Sequence, residues 1–395
     1  MTKETKISVT IDGYRLSYPA TGLGLVTAEL LRGLQELGYT KSIAVFVEKS
    51  FRPQIFGLEN LDVQWITIDF KNRSPDYLGR LAWGLAVTKK IKKFFPNSRH
   101  FIPYFYNYGN LSQNVVLVPD LVWRIVSEQD SIYPHRPWWN LRGRLPFRPM
   151  FVKWEEWLVT RAKNLIVYTK FVKNHVHQEF GTSLDRIMIM QHPVPSWCIT
   201  KYQESNNLLV QNKFNLPHRF VLYVGGFAGR KNVAMLLEVC GQIYDADPSF
   251  RCVLVGLTEQ IIQRDFGIRE AMKRNSVRAA IIPLPIIDYP DLASLYRLTE
   301  FTVYPSLSEG FGLPILEAGS AKRLCLCGDN SSMKEVQTNA EYRIKSDDRS
   351  AWFEKILYFW QNPEATKKAG EDCHLLFHQY DLYKTAQQLW NILQS

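Results

Sequence analysis

The chain has 395 residues, of which 46% are hydrophobic and 13% aromatic. This composition is typical of a well-packed globular protein and excludes a disordered one, while the length predicts two domains. No apolar run reaches the roughly 18 residues that a transmembrane helix needs, and the charged first residues predict no signal peptide. The formal net charge of +10 at pH 7 favours anionic partners.

Strand-like and helix-like segments alternate through the first half of the chain. Ile7–Ile11 predicts a strand, which a glycine loop joins to a helix. The apolar stripe of that helix is Val26, Leu30, Leu34 and Leu37. Further buried strands are predicted at Ile43–Val47, Val63–Ile68, Val115–Val118 and Asn164–Tyr168. This alternation predicts an α/β fold with a parallel, doubly wound sheet.

A polar, proline-containing stretch from Gln191 to Asn212 is the best candidate for a linker. The alternation of strands and helices then resumes with a predicted strand at Phe220–Val224. The next helix has apolar residues at helical spacing, namely Val233, Leu236, Leu237 and Cys240. Later strands are predicted at Cys252–Val255, Ala280–Ile282, Phe301–Tyr304 and Leu324–Cys327. We therefore expect domains at residues 1–195 and 196–375, followed by a C-terminal helical segment at 376–395.

Six cysteines are scattered through apolar contexts without the spacing of metal ligands or disulfide frameworks. Cys325 and Cys327 alternate within a strand-like segment, so both side chains face one side and are interpreted as packing residues. This cysteine usage predicts a reducing, cytoplasmic setting.

Basic residues are concentrated in two places. Between Arg136 and Lys173, nine lysines and arginines stand against two acids. Four tryptophans are interleaved with them, namely Trp138, Trp139, Trp154 and Trp157. The second cluster runs from Trp83 to Phe95 and contains four lysines.

A cationic, aromatic surface suits anionic lipid headgroups, because tryptophan prefers the interface and each nearby basic residue adds about 1 kcal/mol. A pyrophosphate-linked acceptor would fit it equally well. A solvated basic face with tryptophans in the core is the remaining interpretation. No helix-turn-helix, RRM or zinc-finger pattern occurs, so no nucleic-acid partner is expected.

Two carboxylates, Glu309 and Glu317, stand eight residues apart around a glycine turn. Pro314 suits the first position of a helix, which would place Glu317 in the first turn and aim backbone amides at a shared space. Carboxylates beside amide donors can hold a polyhydroxylated, phosphorylated ligand such as a nucleotide sugar. For Glu317 alone, favourable interaction with the helix dipole is the simpler interpretation.

A second glycine-containing segment has the outline of a diphosphate site. Gly225 and Gly226 follow a predicted strand, and Arg230 and Lys231 stand beside the start of a helix. Glycines allow a close backbone approach, while arginine and lysine match phosphate charge. Solvated cations at a helix start are the alternative, although they would oppose the helix dipole.

These segments together resemble the GT4 family of GT-B glycosyltransferases. The Glu309–Glu317 string resembles its donor-binding motif, and the segment from Leu222 to Asn232 resembles its glycine–basic segment. The segment Tyr18–Gly24 resembles its N-terminal glycine loop. The resemblance implies two Rossmann-like domains facing each other across a cleft, with the C-terminal helix crossing back to the first domain. It also implies retention of anomeric configuration, with no bound metal and no cofactor besides the donor substrate.

The resemblance also implies roles for individual residues. Glu317 would hold the ribose hydroxyls and Glu309 would reach the donor sugar. Arg230 and Lys231 would stabilise the leaving diphosphate. Three residues would lie close to the sugar ring, namely Gly310, Phe311 and Gly312. The segment that contains Ile286 would face the base, and Gly22 and Gly24 would place amides against the donor phosphate from the opposite domain.

The chain departs from the family pattern in one place. Pro119 stands where family members have a histidine that meets the sugar near its C6 hydroxyl, while the neighbouring Asp120 remains as a candidate catalytic residue. Either the donor is a 6-deoxy sugar or pentose, which leaves no hydroxyl unpaired, or catalysis is impaired. Ser331 and Ser332, which precede Glu335, are interpreted as structural, with Ser332 and Glu335 forming a capping box.

The sequence therefore predicts a cytoplasmic glycosyltransferase, peripheral at the inner face of the plasma membrane. Its partners would be a nucleotide-sugar donor and a glycan acceptor, plausibly lipid-linked, as in cell-surface polysaccharide assembly. Two alternatives stand beside this hypothesis. One is another GT-B enzyme such as a nucleotide-sugar epimerase or hydrolase, and the other is a catalytically impaired binding subunit.

Overall fold

The structure is a computed structural model that describes residues 6–17, 22–69, 77–104, 114–121, 148–200 and 205–395. These residues divide into two compact units. The first unit comprises the described residues up to 121 together with 148–195 and 381–395, and the second comprises the described residues of 196–380. Each unit has its own parallel sheet.

The first unit contains, within its described residues, a seven-stranded parallel sheet of order β3-β2-β1-β4-β5-β6-β7. Its strands are β1 (Val9–Asp12), β2 (Ile43–Glu48), β3 (Gln64–Ile68), β4 (Arg99–Ile102), β5 (Asn114–Leu117), β6 (Asn164–Val167) and β7 (Ile187–Ile189). The accompanying helices are α1 (Gly22–Glu36), α2 (Tyr77–Phe94), α3 (Arg148–Arg161) and α4 (Lys170–Phe180). Strands β4 and β7 escaped the sequence analysis, because both are short and flanked by polar residues.

The second unit contains a six-stranded parallel sheet of order β10-β9-β8-β11-β12-β13 in the part of it that the structure describes. Its strands are β8 (Val221–Val224), β9 (Cys252–Val255), β10 (Ile281–Leu284), β11 (Phe301–Tyr304), β12 (Cys325–Gly328) and β13 (Arg343–Ile344). This order is that of a doubly wound dinucleotide-binding sheet, whose direction of growth reverses between its first and fourth strands. Both units are therefore Rossmann-like, which confirms the predicted fold class.

Eleven helices surround or follow this sheet among the described residues. They are α5 (Ser196–Ile199), α6 (Ser205–Lys213), α7 (Val233–Ala246), α8 (Glu259–Arg264), α9 (Phe266–Ala271), α10 (Asn275–Ala280), α11 (Tyr289–Leu298), α12 (Leu313–Ser320), α13 (Met333–Val336), α14 (Arg349–Gln361) and α15 (Pro363–Phe377). The predicted linker was too long, because α5 and α6 form within it and belong to the second unit. The predicted apolar stripe of α7 is buried.

The chain returns to the first unit at Asp381 and ends in α16 (Leu382–Gln394). This helix packs closely on α1, since a Cβ atom at Gly33 would lie 2.6 Å from the Cβ of Ala386. Tyr39 stacks on Trp390 with ring centroids 4.5 Å apart. The last helix is therefore part of the core of the first unit.

The second basic cluster is less aromatic at its surface than the sequence indicates. Trp83 is fully buried and donates from Nε1 to Asp12 Oδ2 at 3.0 Å. Lys92, Lys93 and Phe94 are exposed at the end of α2. For Trp83 the alternative of a basic face with tryptophans in the core therefore holds, because Trp83 belongs with Val87 and Ile91 to one buried cluster. The Asp12 carboxylate satisfies its indole N–H there.

The first basic cluster lies only in part within the described residues. Residues 136–147, with Trp138 and Trp139, lie outside the described residues, as do the side chains of Arg148 and Trp154. Among the residues that follow in this cluster, Lys153, Arg161 and Lys170 are exposed.

Candidate functional site

The candidate site lies in the second unit, where loops leave the carboxyl ends of two adjacent strands. Strand β8 ends at Val224, β11 ends at Tyr304, and the two strands pair directly. Because the strand order reverses between them, a crevice opens at their carboxyl ends, which is where open α/β sheets bind ligands. Arg230 and Lys231 follow β8, and Glu309 follows β11.

Glu309 accepts hydrogen bonds from both cations through one oxygen. Arg230 Nη1 lies 2.6 Å and Lys231 Nζ 2.7 Å from Glu309 Oε1, and Ser306 Oγ donates to the same atom. Glu309 is 7% exposed, and its second oxygen, Oε2, takes no part in these bonds. The structure thus joins the predicted cationic pair and the first glutamate in one buried ionic cluster.

This cluster determines the charge of Glu309. Burial by itself would raise the pKa of the carboxyl group, because a charge is poorly solvated in the interior. Lys231 and Arg230 outweigh that effect through charge and hydrogen bonds, and they lower the pKa of Glu309 to about 2. Glu309 is therefore ionised throughout the physiological pH range.

Lys231 is held by a second partner that the sequence analysis missed. Its Nζ donates to the Tyr304 hydroxyl at 2.6 Å and lies 4.7 Å from the centroid of that ring. Lys231 is 9% exposed and ends a short turn, after which Asn232 adopts a left-handed conformation with φ of 57°. Tyr304 had been interpreted only as the last residue of a strand, because nothing local distinguishes its hydroxyl from that of a packing tyrosine.

Hydrogen bonds from two backbone amides hold the segment that leads to Glu309 in place. Leu307 N donates to Arg230 O at 2.7 Å, and Glu309 N donates to Ser331 Oγ at 2.9 Å. These two amides precede the glycine turn, and both are bonded within the protein. Their hydrogen bonds fix the position of the Glu309 backbone.

Ser331 and Ser332 differ from the predicted capping box. Ser332 has helical backbone angles and makes no side-chain capping bond, because α13 is a single turn that begins directly after it. Ser331 adopts a left-handed conformation with φ of 45° and places its hydroxyl against Glu309 N, while donating to Asn330 Oδ1 at 2.8 Å. The serine pair thus supports the site, through the member that the sequence analysis had not singled out.

Glu317 lies one residue further along α12 than predicted. The helix begins at Leu313 after Gly312, whose φ of 103° is accessible to glycine. Pro314 is consequently the second helical residue, and Glu317 falls in the second turn. The simpler explanation through the helix dipole therefore loses its basis, because that effect is confined to the first turn.

Glu317 is buried in an environment with fewer cations than that of Glu309. It is 7% exposed, and its Oε2 accepts a hydrogen bond of 2.6 Å from the Tyr296 hydroxyl. Burial raises the pKa of Glu317 to about 7, although the Tyr296 bond and the charge of Lys231 act in the opposite direction. Glu317 therefore titrates near neutral pH.

The two glycines that follow β8 differ in their surroundings. A Cβ atom at Gly225 would lie 2.9 Å from the Tyr223 hydroxyl, which itself donates to Gly226 O at 2.7 Å. A Cβ atom at Gly226 would meet no atom within 4 Å, so this backbone borders open space. A ligand could approach the chain closely there.

The remaining predicted site residues of the second unit differ in exposure. Gly310 lies in the same loop as Glu309, between β11 and α12. Phe311 is buried, with its ring packed edge-on against Tyr380 at 5.7 Å. Ile286 follows β10 and is 78% exposed.

The other predicted site residues belong to the first unit. Gly22 is the first residue of α1, and Gly24 is buried within the first turn. Pro119 and Asp120 are half-buried just after β5. They lie, as predicted, at the carboxyl end of a strand.

Two further findings concern the described residues alone. Within them, no group of three or more histidine, cysteine or acidic side chains is arranged to hold a metal ion. No helix among them is long and apolar enough to cross a membrane.

A doubly wound sheet with two cations at its switch point is typical of nucleotide-binding proteins. Comparison with known proteins indicates which class of them this chain resembles. Residues 205–373 match the family model described as Glycosyl transferases group 1. O-antigen chain mannosyltransferase B of Escherichia coli is 27% identical over 361 residues, which cover 88% of this chain and 89% of that protein. The second unit therefore carries a group 1 glycosyltransferase domain, and the whole chain is similar to glycosyltransferases that share its fold.

Solved structures share the fold. WaaG, a glycosyltransferase involved in lipopolysaccharide biosynthesis, aligns with a TM-score of 0.74 at 14% identity, over 98% of this chain and 99% of its own. HepE of Anabaena, solved in complex with UDP and glucose, aligns with a TM-score of 0.72 at 12% identity, also over 98% and 99%. At these identities the likeness concerns the fold alone.

Proposed function

We propose that the chain transfers a sugar from a nucleoside-diphosphate donor to a growing cell-surface glycan. The observation that carries this proposal is the buried cluster of Arg230, Lys231 and Glu309 at the switch point of the second sheet. Two cations beside an open glycine backbone match the charge and size of a diphosphate. The name of the E. coli relative supports a role in O-antigen assembly.

In this mechanism, Arg230 and Lys231 stabilise the charge that develops on the leaving diphosphate. Both cations contact Glu309, so donor binding would exchange a carboxylate partner for phosphate oxygens. The displaced Glu309 carboxylate is then available to the hydroxyls of the donor sugar, and Glu317 to the ribose. Gly310, Phe311 and Gly312 border the sugar ring, and the backbone near Ile286 faces the base.

The proposed reaction retains the anomeric configuration and uses no metal ion, because the two cations supply the charge that a metal supplies elsewhere. The leaving phosphate accepts the proton of the acceptor hydroxyl, so no separate general base is needed. Gly22 and Gly24 would place helix-start amides near the donor phosphate, and Asp120 remains a candidate catalytic residue. These assignments follow from the family resemblance.

Two donor sugars are supported by different observations. The name of the E. coli relative points to mannose, a hexose with a C6 hydroxyl. Pro119, which offers no side-chain donor, favours a 6-deoxy sugar or a pentose. Turnover measured with a panel of nucleotide sugars decides between them, because strong use of plain hexoses with no use of 6-deoxy donors would exclude the 6-deoxy hypothesis.

A lipid-linked acceptor and peripheral binding at the cytoplasmic membrane surface complete the proposal. The exposed Lys92, Lys93 and Phe94 at the end of α2, with Lys153 and Arg161 on α3, supply cationic and aromatic surface. Sedimentation with vesicles tests this part, since binding to anionic but not to neutral vesicles is expected.

The test of the donor site is ligand binding by wild-type protein and the Glu317→Ala variant. Thermal shifts with UDP-, GDP- and dTDP-sugars should show stabilisation by one nucleotide, lost in the variant. A stabilisation of about 2.7 kcal/mol is expected at a ligand concentration about 100 times the dissociation constant. Binding without turnover would favour the non-catalytic subunit, and release of free sugar without transfer would favour a hydrolase.

A further inference from the structure

Tyr296 is buried against the second carboxylate of the site. The residue is 1% exposed, and its hydroxyl donates to Glu317 Oε2 at 2.6 Å. A bond of this length to an ionised oxygen is typical of a charge-assisted hydrogen bond, which is stronger than a neutral one. The two residues come from different helices, α11 and α12, so the bond depends on tertiary structure.

The ring of Tyr296 is itself held in place. It stacks on Trp197 with centroids 5.8 Å apart, and Trp197 stacks in turn on Tyr289 at 6.2 Å. Trp197 is buried in α5. Since the phenol ring is packed on an aromatic neighbour and is almost fully buried, its hydroxyl has one position available.

The bond restricts how Glu317 can meet a ligand. Oε2 is occupied by the phenol, whereas Oε1 takes no part in that bond. We propose that Tyr296 is a positioning residue for donor binding, which holds the Glu317 carboxylate so that Oε1 is presented to the ribose hydroxyls of the nucleotide. This inference rests on the proposed function.

The groups that face this pair predict a pH signature. Burial raises the pKa of Glu317, and the Tyr296 hydrogen bond and the positive charge of Lys231 lower it, to leave it at about 7. Cys198 and Cys325 face the Tyr296 hydroxyl, whose pKa lies well above its ordinary value because of burial and the nearby Glu317. Removing the phenol hydroxyl takes away a bond that favours the carboxylate, so the pKa of Glu317 rises further.

The experiment is the affinity of UDP, GDP and dTDP as a function of pH, measured by calorimetry on three proteins. Wild-type affinity for the preferred nucleotide should increase as pH rises through about 7, as Glu317 ionises. In Tyr296→Phe, the midpoint should move upward by about half a pH unit or more, and affinity at about pH 7 should fall about twofold or more as the ionised fraction of Glu317 decreases. The control Tyr289→Phe removes a hydroxyl from the same aromatic stack and should leave the midpoint unchanged.

Kinetics provide a second readout. Tyr296→Phe should raise KM for the donor with little change in kcat, because the phenol acts on binding and not on the reacting atoms. The phenylalanine ring keeps the stack on Trp197, and a midpoint is insensitive to any fraction of unfolded protein.

Two results would count against the proposals, and they differ. An unchanged midpoint in Tyr296→Phe, with affinity reduced equally at every pH, would overturn the positioning role while leaving the donor site intact. Failure of the wild-type protein to bind any of the three nucleotides would overturn the proposed function and this inference with it.

Discussion

Glu309 and Glu317 stand in one segment of the chain, each 7% exposed, yet their pKa values lie on opposite sides of the ordinary value. Burial raises the pKa of both. Two cations in direct contact reverse this effect for Glu309 and bring its pKa to about 2, whereas one phenol and a more distant lysine leave Glu317 at about 7. The comparison teaches that partners, and not depth, determine the charge of a buried carboxylate.

The difference suits the two tasks of the proposed mechanism. There, the ionised Glu309 holds the two cations until a diphosphate replaces it, and it then accepts hydrogen bonds from the hydroxyls of the sugar. Glu317, which titrates near neutral pH, would make nucleotide affinity depend on pH. The variants below alter one side of this comparison at a time, in order of decreasing effect.

Removing a cation from the Glu309 side should have the largest effect. Lys231→Met removes the buried ammonium group that donates to Glu309 and Tyr304. Loss of one partner of a buried ion pair typically costs about 3–5 kcal/mol of folding free energy. Affinity for a nucleoside diphosphate should fall by about a hundredfold or more. Urea unfolding and calorimetry measure both quantities. Lys322→Met, at an exposed pair with Glu371, is the control and should change stability by less than about 1 kcal/mol.

Replacing the carboxylate on the other side should stabilise the protein in a defined pH range. Because the folded pKa of Glu317 lies above the ordinary 4.5, its contribution to stability is present below about pH 4.5 and is lost as pH rises to about 7. Glu317→Gln should therefore exceed the wild type by up to about 3 kcal/mol at about pH 8, with little difference near pH 4.5. Urea unfolding at the two pH values measures this, and equal differences at both would contradict the assigned pKa.

The pH dependence of stability has the opposite sign for Glu309. Its folded pKa lies below 4.5, so its contribution is present above about pH 4.5 and is lost as pH falls towards about 2. In Glu309→Gln, Arg230 and Lys231 no longer have a competing carboxylate, so a nucleoside diphosphate should bind about tenfold more tightly even though sugar transfer is impaired. Calorimetry with the diphosphate and a transfer assay measure the two effects. Weaker diphosphate binding would mean that Glu309 assists the cations in holding phosphate.

The smallest expected change concerns the backbone of Glu309. Ser331→Ala removes the acceptor of Glu309 N and should cost about 1 kcal/mol, because a part-buried amide loses its partner. Thermal unfolding compares it with Ser50→Ala at an exposed position, whose loss should cost less. A loss of stability at Ser331 no larger than that at Ser50 would contradict this role of Ser331.

Local periodicity was enough for most of the fold. Strands such as Cys252–Val255 and Phe301–Tyr304 were predicted with their observed limits, because continuous apolar runs bounded by turn residues are typical of buried parallel strands. The short strands β4, β7 and β13 were missed. Their local sequence gives only a weak strand signal, and pairing with neighbouring strands in the sheet stabilises them. The sequence left open whether Trp83 lies at the surface or in the core, and the helical spacing of Trp83, Val87 and Ile91 places the indole in the core.

The sequence by itself determined the alternating α/β architecture and the approximate address of the site, because backbone preferences and apolar spacing act over a few residues. Tertiary structure decided the chemistry of that site. Glu309 meets Arg230 across 79 positions of the chain, and Glu317 meets Tyr296 across 21. Glu309 meets Arg230 because the parallel strands β8 and β11 bring the loops at their carboxyl ends together. Glu317 meets Tyr296 because the fold brings these side chains of the helices α11 and α12 within hydrogen-bonding distance. No local pattern encodes either arrangement.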